Sequence, residues 1–161
     1  MQIWGRFFLN NFTKSIIGVL LLISVDLIKD SEGFRETAYK CPAGKWTIGY
    51  GSTFYQDKTP VQEGDTITRD EADKLLHWYC DTQIKYPRED LADDQKSALC
   101  SLIYNIGQRA FDKSKCKRAI VNSDWQEAYN QWDWVTAKGK VLPGLVIRRE
   151  KEKKLFFKEL L

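Results

Sequence analysis

Apolar residues recur along this chain at two spacings, and the change from one to the other divides it into elements. An uninterrupted apolar run comes first, with eleven uncharged residues from Ser15 to Val25. From there a short helix is expected over roughly Val25 to Glu32, because Gly33 supplies the left-handed residue that closes helices. Alternation at a period of two then takes over. Thr37 and Tyr39, and later Trp46, Thr47, Ile48 and Tyr50, are strand formers, and Pro42, Ala43 and Gly44 between them make a turn. Phe54 to Thr66 is polar, with Pro60 and Gly64, and reads as loop with room for one more short strand.

Helical spacing governs the rest. Thr68 and Glu71 form a capping box, opening a helix whose apolar face is Ala72, Leu75, Leu76 and Tyr79, with Pro87 as its latest possible end. Asp93 to Ile106 carries Ala98, Leu99, Leu102, Ile103 and Ile106 at intervals of three and four, and Gly107 stops it; this is the expected buried central helix. Further helices are expected over Lys113 to Val121 and over Asp124 to Trp134, the second turning Trp125, Ala128, Tyr129 and Trp132 inward. Trp134 opens a loop rich in Lys and Gly. The last segment, Leu145 to Leu161, has Val146, Leu155, Phe156 and Leu160 for an apolar face.

Composition adds bounds to this outline. At 161 residues, with 43% hydrophobic and 13% aromatic residues, the chain suits one domain with a packed core, divisible into two lobes. A formal charge of +3 does not point to nucleic acid and suits an anionic target such as a cell wall or membrane surface. The final segment alone carries six basic and three acidic residues, which equals the charge of the whole chain. It fits either a helix docked on its own lobe or one lying on an anionic membrane. Four cysteines, Cys41, Cys80, Cys100 and Cys116, allow up to two disulfides in three pairings, and none has zinc-knuckle or redox-motif spacing, so no metal or other cofactor is expected. The lone His77, on an amphipathic helix beside Leu75, Leu76 and Tyr79, reads as a surface or half-buried residue.

Candidate chemistry gathers between Ser31 and Thr53. A carboxylate at the end of the first helix faces the negative pole of the helix dipole, which favours the neutral form that a general acid requires. The following hairpin would hold residues 41 and 47 against that helix end. Glu32, Cys41 nine positions on and Thr47 six further, within Trp-Thr-Ile-Gly-Tyr-Gly, closely resemble the catalytic triad of the phage-type lysozymes, glycoside hydrolase family 24. Asn105-Ile106-Gly107 resembles the family's central-helix ending, and the run from Lys140 to Arg149 its C-terminal signature. Cys41 stands where many members carry Asp, and Ser52 where His is frequent.

The resemblance implies an α+β, two-lobed lysozyme fold, with a small β-hairpin lobe, a mainly helical C-terminal lobe and a cleft between them. The implied activity is bacteriolytic: a muramidase cutting the β-1,4 link between N-acetylmuramic acid and N-acetylglucosamine in peptidoglycan, with inversion. Glu32 would be the acid, while Cys41, as a thiol or thiolate, and Thr47 would hold the attacking water. Asn105 would help line the sugar cleft, against the plain reading of a polar helix-end residue. Trp134 is placed in the cleft, against the plain reading of a core tryptophan. Arg148 is expected beside Glu32, and Arg149 on a solvated face. The competing class is an inactive wall-binding or membrane-perturbing homologue. A monomer is expected.

Arg6 and Lys14, without an acidic residue before the apolar run, give residues 1–24 the layout of a secretory signal, too short for a comfortable membrane span of ~20 residues. This pattern resembles the signal-arrest-release endolysins. It implies a signal-anchor at 1–24 before a catalytic domain at 25–161, engagement of the export machinery, tethering to the host inner membrane and release into the periplasm. The alternatives are a hydrophobic helix that merely packs on the domain, and an enzyme held in the cytoplasm until holin pores form. Residues 1 to 30 contain no cysteine, so no thiol exchange with Cys41 can start there.

Overall fold

The structure, a computed structural model, describes residues 25–160. The signal-anchor expected at 1–24 lies outside them. Helix α1, residues 25–32, buries Val25 and Ile28 and ends where the Gly33 amide, at φ 69°, bonds back to the Lys29 carbonyl at 3.1 Å. Strands β1 (Arg35–Lys40) and β2 (Trp46–Gly49) pair antiparallel, with Tyr39 opposite Thr47 and Lys40 opposite Trp46. Isolated bridges from Thr37 to Thr66 and from Phe54 to Pro60 extend this small lobe without adding a full strand.

Helix α2 (Arg69–Thr82) begins with the expected capping box: the Glu71 amide donates to the Thr68 hydroxyl at 3.3 Å and the Thr68 amide to the Glu71 carboxylate at 2.9 Å. Its buried face is Ala72, Leu75, Leu76 and Cys80. Helix α3 (Asp93–Ile106) has the predicted bounds, and every residue from Ser97 to Ile103 is buried. Gly107, at φ 84°, ends it. The short helices α4 (Gln108–Asp112), α5 (Lys115–Val121) and α6 (Trp125–Asn130) lead to α7 (Pro143–Phe156), which lies along α3. Trp132, Phe156 and Phe157 stack in mutual contact, with ring centroids 4.7–5.6 Å apart, and close the core of the helical lobe.

Four local readings change. Helix α4 follows Gly107 directly, which the sequence pattern does not mark. Helix α6 stops at Asn130, and Trp132 reaches the core from the turn beyond it. Tyr129 is 38% exposed, its ring under the Lys153 ammonium and edge-on to Phe157 instead of inside. The expected loop after Trp134 contains a hairpin, β3 (Thr136–Ala137) and β4 (Lys140–Val141), turned by Lys138 and Gly139, both at positive φ. A lysine in the first of those positions pays a steric cost that usually selects Asn, Asp or Gly, which hides the turn from sequence reading.

Candidate active site

Glu32 leaves the end of α1 between the two lobes and touches both. One carboxylate oxygen, Oε1, accepts a hydrogen bond from Arg148 Nη1 of α7. The other, Oε2, lies beside Gly51, where a Cβ would come within 4.0 Å of it and within 3.5 Å of the Tyr104 hydroxyl. Gly51 therefore serves both conformation, at φ 105°, and approach. The Glu32 side chain remains 26% exposed.

Cys41 caps the hairpin turn: its amide donates to the Lys45 carbonyl at 2.9 Å, and its carbonyl accepts from the Gly44 amide at 2.8 Å. Cys41 as a residue is half-buried, and the backbone N–H groups of Lys45 and Ala43, then the Thr47 hydroxyl, lower its thiol pKa from the ordinary value. Thr47 is buried, and its hydroxyl also donates to the Lys45 carbonyl at 3.1 Å. Its single proton therefore serves the carbonyl or the sulfur. The tight return after β2, in which the Ile48 amide donates to the Ser52 carbonyl at 2.9 Å, carries the chain from the Cys41–Thr47 pair to Gly51 at Glu32.

Arg148 is the expected neighbour of Glu32, and it is buried. Its Nη2 donates to the Ser101 carbonyl at 2.9 Å, and its Nε lies 3.3 Å from both the Ser101 hydroxyl and Glu152 Oε1. Arg149 overturns its reading as a solvated residue, being 2% exposed. Both arginines turn inward because the wholly buried Glu152 carboxylate lies within reach of both, one turn along the same helix. Arg149 Nη2 donates to Glu152 Oε1 at 2.8 Å; its Nε is 2.8 Å from Oε2 but misaligned for a hydrogen bond, and its Nη1 has no partner. Burial pushes the Arg149 guanidinium below its usual value.

Asn105 is half-buried in the last turn of α3. Trp134 is half-buried and packs against the hydrophobic core. His77 is half-buried on α2. The sequence reading missed Tyr104, which donates to the Tyr50 carbonyl at 2.9 Å and whose pKa is raised by burial and by the nearby Glu32 charge. The only available signal was its place one residue before Asn105. It also missed Glu152, which sits among lysines and an arginine and looks like an ordinary surface charge.

A groove leads away from this site. A cavity of about 110 Å³ beside Gly51, Ser52 and Tyr104 shares Thr53 and Phe54 with a wider one of about 530 Å³ along Lys45, Trp46 and Lys58. The Lys58 ammonium lies 4.7 Å from the Trp78 ring centre and 5.3 Å from that of Phe54, a surface able to stack on sugar rings and meet anionic groups. A separate hollow of about 470 Å³ at Tyr55, Asp57 and Glu71 holds none of the candidate residues. Among the described residues no cluster of three or more His, Cys, Asp or Glu could hold a metal ion. All four cysteines are thiols.

The sequence profile of the Phage lysozyme family matches residues 29–152, a span that contains every residue of the site just described. The chain belongs to that family. With its endolysin relatives, that membership makes it a peptidoglycan-cleaving muramidase that serves host lysis. Among its relatives, an endolysin of Acyrthosiphon pisum secondary endosymbiont phage 1 is 39% identical over 81% of this chain and 92% of that protein. A SAR-endolysin of Escherichia phage P1 is 31% identical over 81% of this chain and 77% of that protein. Among solved structures, an endolysin from Escherichia coli O157:H7 phage FAHEc1 superposes with a TM-score of 0.71, at 29% identity, covering 86% of this chain and 92% of that one. The two-lobed lysozyme fold expected from the resemblance is therefore the fold of this phage lysozyme.

Proposed function

We propose that this muramidase cuts the N-acetylmuramic acid to N-acetylglucosamine β-1,4 link with inversion, using Glu32 as general acid and Cys41 with Thr47 to hold the attacking water. The observation that carries the reading is the placement of Glu32: a partly exposed carboxyl, gripped on one oxygen by a buried arginine, at the meeting of the two lobes. The opposite requirement, a proton acceptor for water, suits Cys41, whose lowered pKa makes thiolate more available near neutral pH. Asn105 and Trp134 would line the sugar path, with the Trp46 and Lys58 groove extending it. Loss of turbidity in chloroform-treated Gram-negative cells tests this. Wild type clears them and Glu32→Gln does not; clearing by both would remove Glu32 as the acid.

A further part of the proposal concerns delivery. Residues 1–24 would act as a signal-arrest-release anchor that passes the export machinery, holds the enzyme at the inner membrane and later lets it into the periplasm. Support comes from the charge and apolar layout of that segment and from relatives named SAR-endolysin in Haemophilus phage HP1, Escherichia phage P1 and Enterobacteria phage P21. No helix among the described residues is long and apolar enough to cross a membrane. A monomer is consistent with a cleft formed within one chain.

A further inference from the structure

We propose that Glu152 is a positioning residue for the reaction: it fixes the Arg148 guanidinium against Glu32 and offsets its charge, so that Glu32 can keep the proton it must deliver. The proposal rests on the reading of Glu32 as the general acid.

Arg148 alone would be a poor companion for an acid. A guanidinium bonded to one carboxylate oxygen favours the ionised form, whereas protonating a leaving glycosidic oxygen needs the neutral one. Glu152 answers this from the far side of the same guanidinium. It is 0% exposed, and Oε1 lies 3.3 Å from Arg148 Nε, 2.8 Å from Arg149 Nη2 and 2.7 Å from the Ser101 hydroxyl, while Oε2 accepts from the Trp132 indole at 3.0 Å. A buried carboxylate with this many donors, paired with both arginines, is held in one rotamer. Arg148, tied to Ser101 and Glu152 at Nε and to the Ser101 carbonyl at Nη2, has only Nη1 directed at Glu32.

Charge counting gives the sign. With Glu32 protonated, Arg148, Arg149 and Glu152 sum to one positive charge. Without Glu152 they sum to two, in a region of weak screening, and ionising Glu32 becomes the way to reduce that charge. Other described groups also face Glu32. Tyr104 from α3 keeps its proton, and the β lobe presents Gly51. Around it, Lys29 pairs with Asp73, and the exposed Lys151 pairs with Asp30. Facing Glu152, α3 contributes Ser101, the segment after α6 contributes Trp132, and α7 contributes the two arginines.

Two variants of the full chain test this in opposite directions. Glu152→Gln keeps the shape and removes the charge; Arg149→Met removes a positive charge, with the Nη2 bond to Glu152 Oε1 and the unpartnered Nε and Nη1. The readouts are the pH profile of muralytic activity and the titration of Glu32 followed by NMR of carbon-13-labelled glutamate, with thermal melts to establish folding. Glu152→Gln should move the Glu32 midpoint and the alkaline limb of activity down by about half a pH unit or more, and Arg149→Met should move both up. A role confined to stability would lower the melting temperature and leave both midpoints where they are in wild type, which overturns the proposal, as does movement of both variants in the same direction. If Glu152→Gln does not fold, Arg149→Met decides alone: an upward shift supports the proposal and any other result overturns it. Failure of the catalytic reading is separable. In that case Glu32→Gln retains activity, while the NMR midpoints still report whether Glu152 acts on Glu32.

Discussion

Arg148 and Glu32 stand 116 positions apart in the chain and are hydrogen-bonded in the fold. The contact ties the end of α1 to α7, and so joins the segment that carries the acid to the helical lobe. Because Arg148 is also bonded to Ser101 of α3, the position of Glu32 is set by a helix buried from Ser97 to Ile103. If Glu32 is the proposed acid, a carboxyl so held loses little conformational freedom when substrate arrives.

Glu32→Gln should reduce muralytic activity to below about one per cent of wild type while the melting temperature stays close to it, because the amide keeps the shape and lacks the proton. Activity assays on cell walls, alongside thermal melts, check both halves of this expectation.

Arg148→Met should unfold the protein at lower denaturant concentration, by about 3 kcal/mol or more. The cost arises mainly at Glu152, whose buried charge would lose one of its two arginines, and less at Glu32, which water can reach. A urea titration reads the loss; a change within 1 kcal/mol would mean that the ion cluster contributes little to stability.

Cys41 should be the cysteine that reacts with iodoacetamide in the native protein, and its modification should abolish activity. Its lowered pKa means that thiolate persists as the pH falls below the ordinary thiol range, so the alkylation midpoint should lie under that of a free thiol. Burial pushes Cys116 the other way, up to about 12, and it should stay unmodified. Cys41→Asp should retain far more activity than Cys41→Ser, because a serine hydroxyl does not ionise in this range and cannot accept the proton from water. Equal activity of the two variants would exclude Cys41 as the base.

Export should depend on residues 1 to 30. Fused to a reporter that is active only in the periplasm, they should give signal, and the full protein should fractionate with membranes until the gradient across the membrane collapses. Replacing Lys14 and Asp26 with Leu removes the charges that bracket the apolar run, each costing up to ~3 kcal/mol inside a bilayer, and should lock the enzyme in the membrane and block lysis. Wild-type protein recovered from the cytoplasm, with lysis requiring a separate pore, would rule out the export reading and leave the catalytic one intact.

The chain announces those features whose causes are local. Thr68 and Glu71 mark the start of α2, and the spacing from Ala98 to Ile106 with Gly107 gives α3 to the residue, since caps and periodicity act within a few positions. Glu32, Cys41 and Thr47 stand out as candidates for the same reason: one helix end and one hairpin present all three, so their spacing is visible in the sequence. Tertiary structure decided the rest. Nothing near Glu152 in sequence separates it from Glu150, yet one is buried among Ser101, Trp132 and two arginines and the other is exposed. Arg149 looked solvated because charged residues usually are, and it is buried because Glu152 receives it. Tyr104 is one more aromatic on an apolar helix until Gly51 is brought against it by a turn some fifty residues away. Burial of a charge depends on partners that long-range packing delivers, and no local pattern encodes which partners those will be.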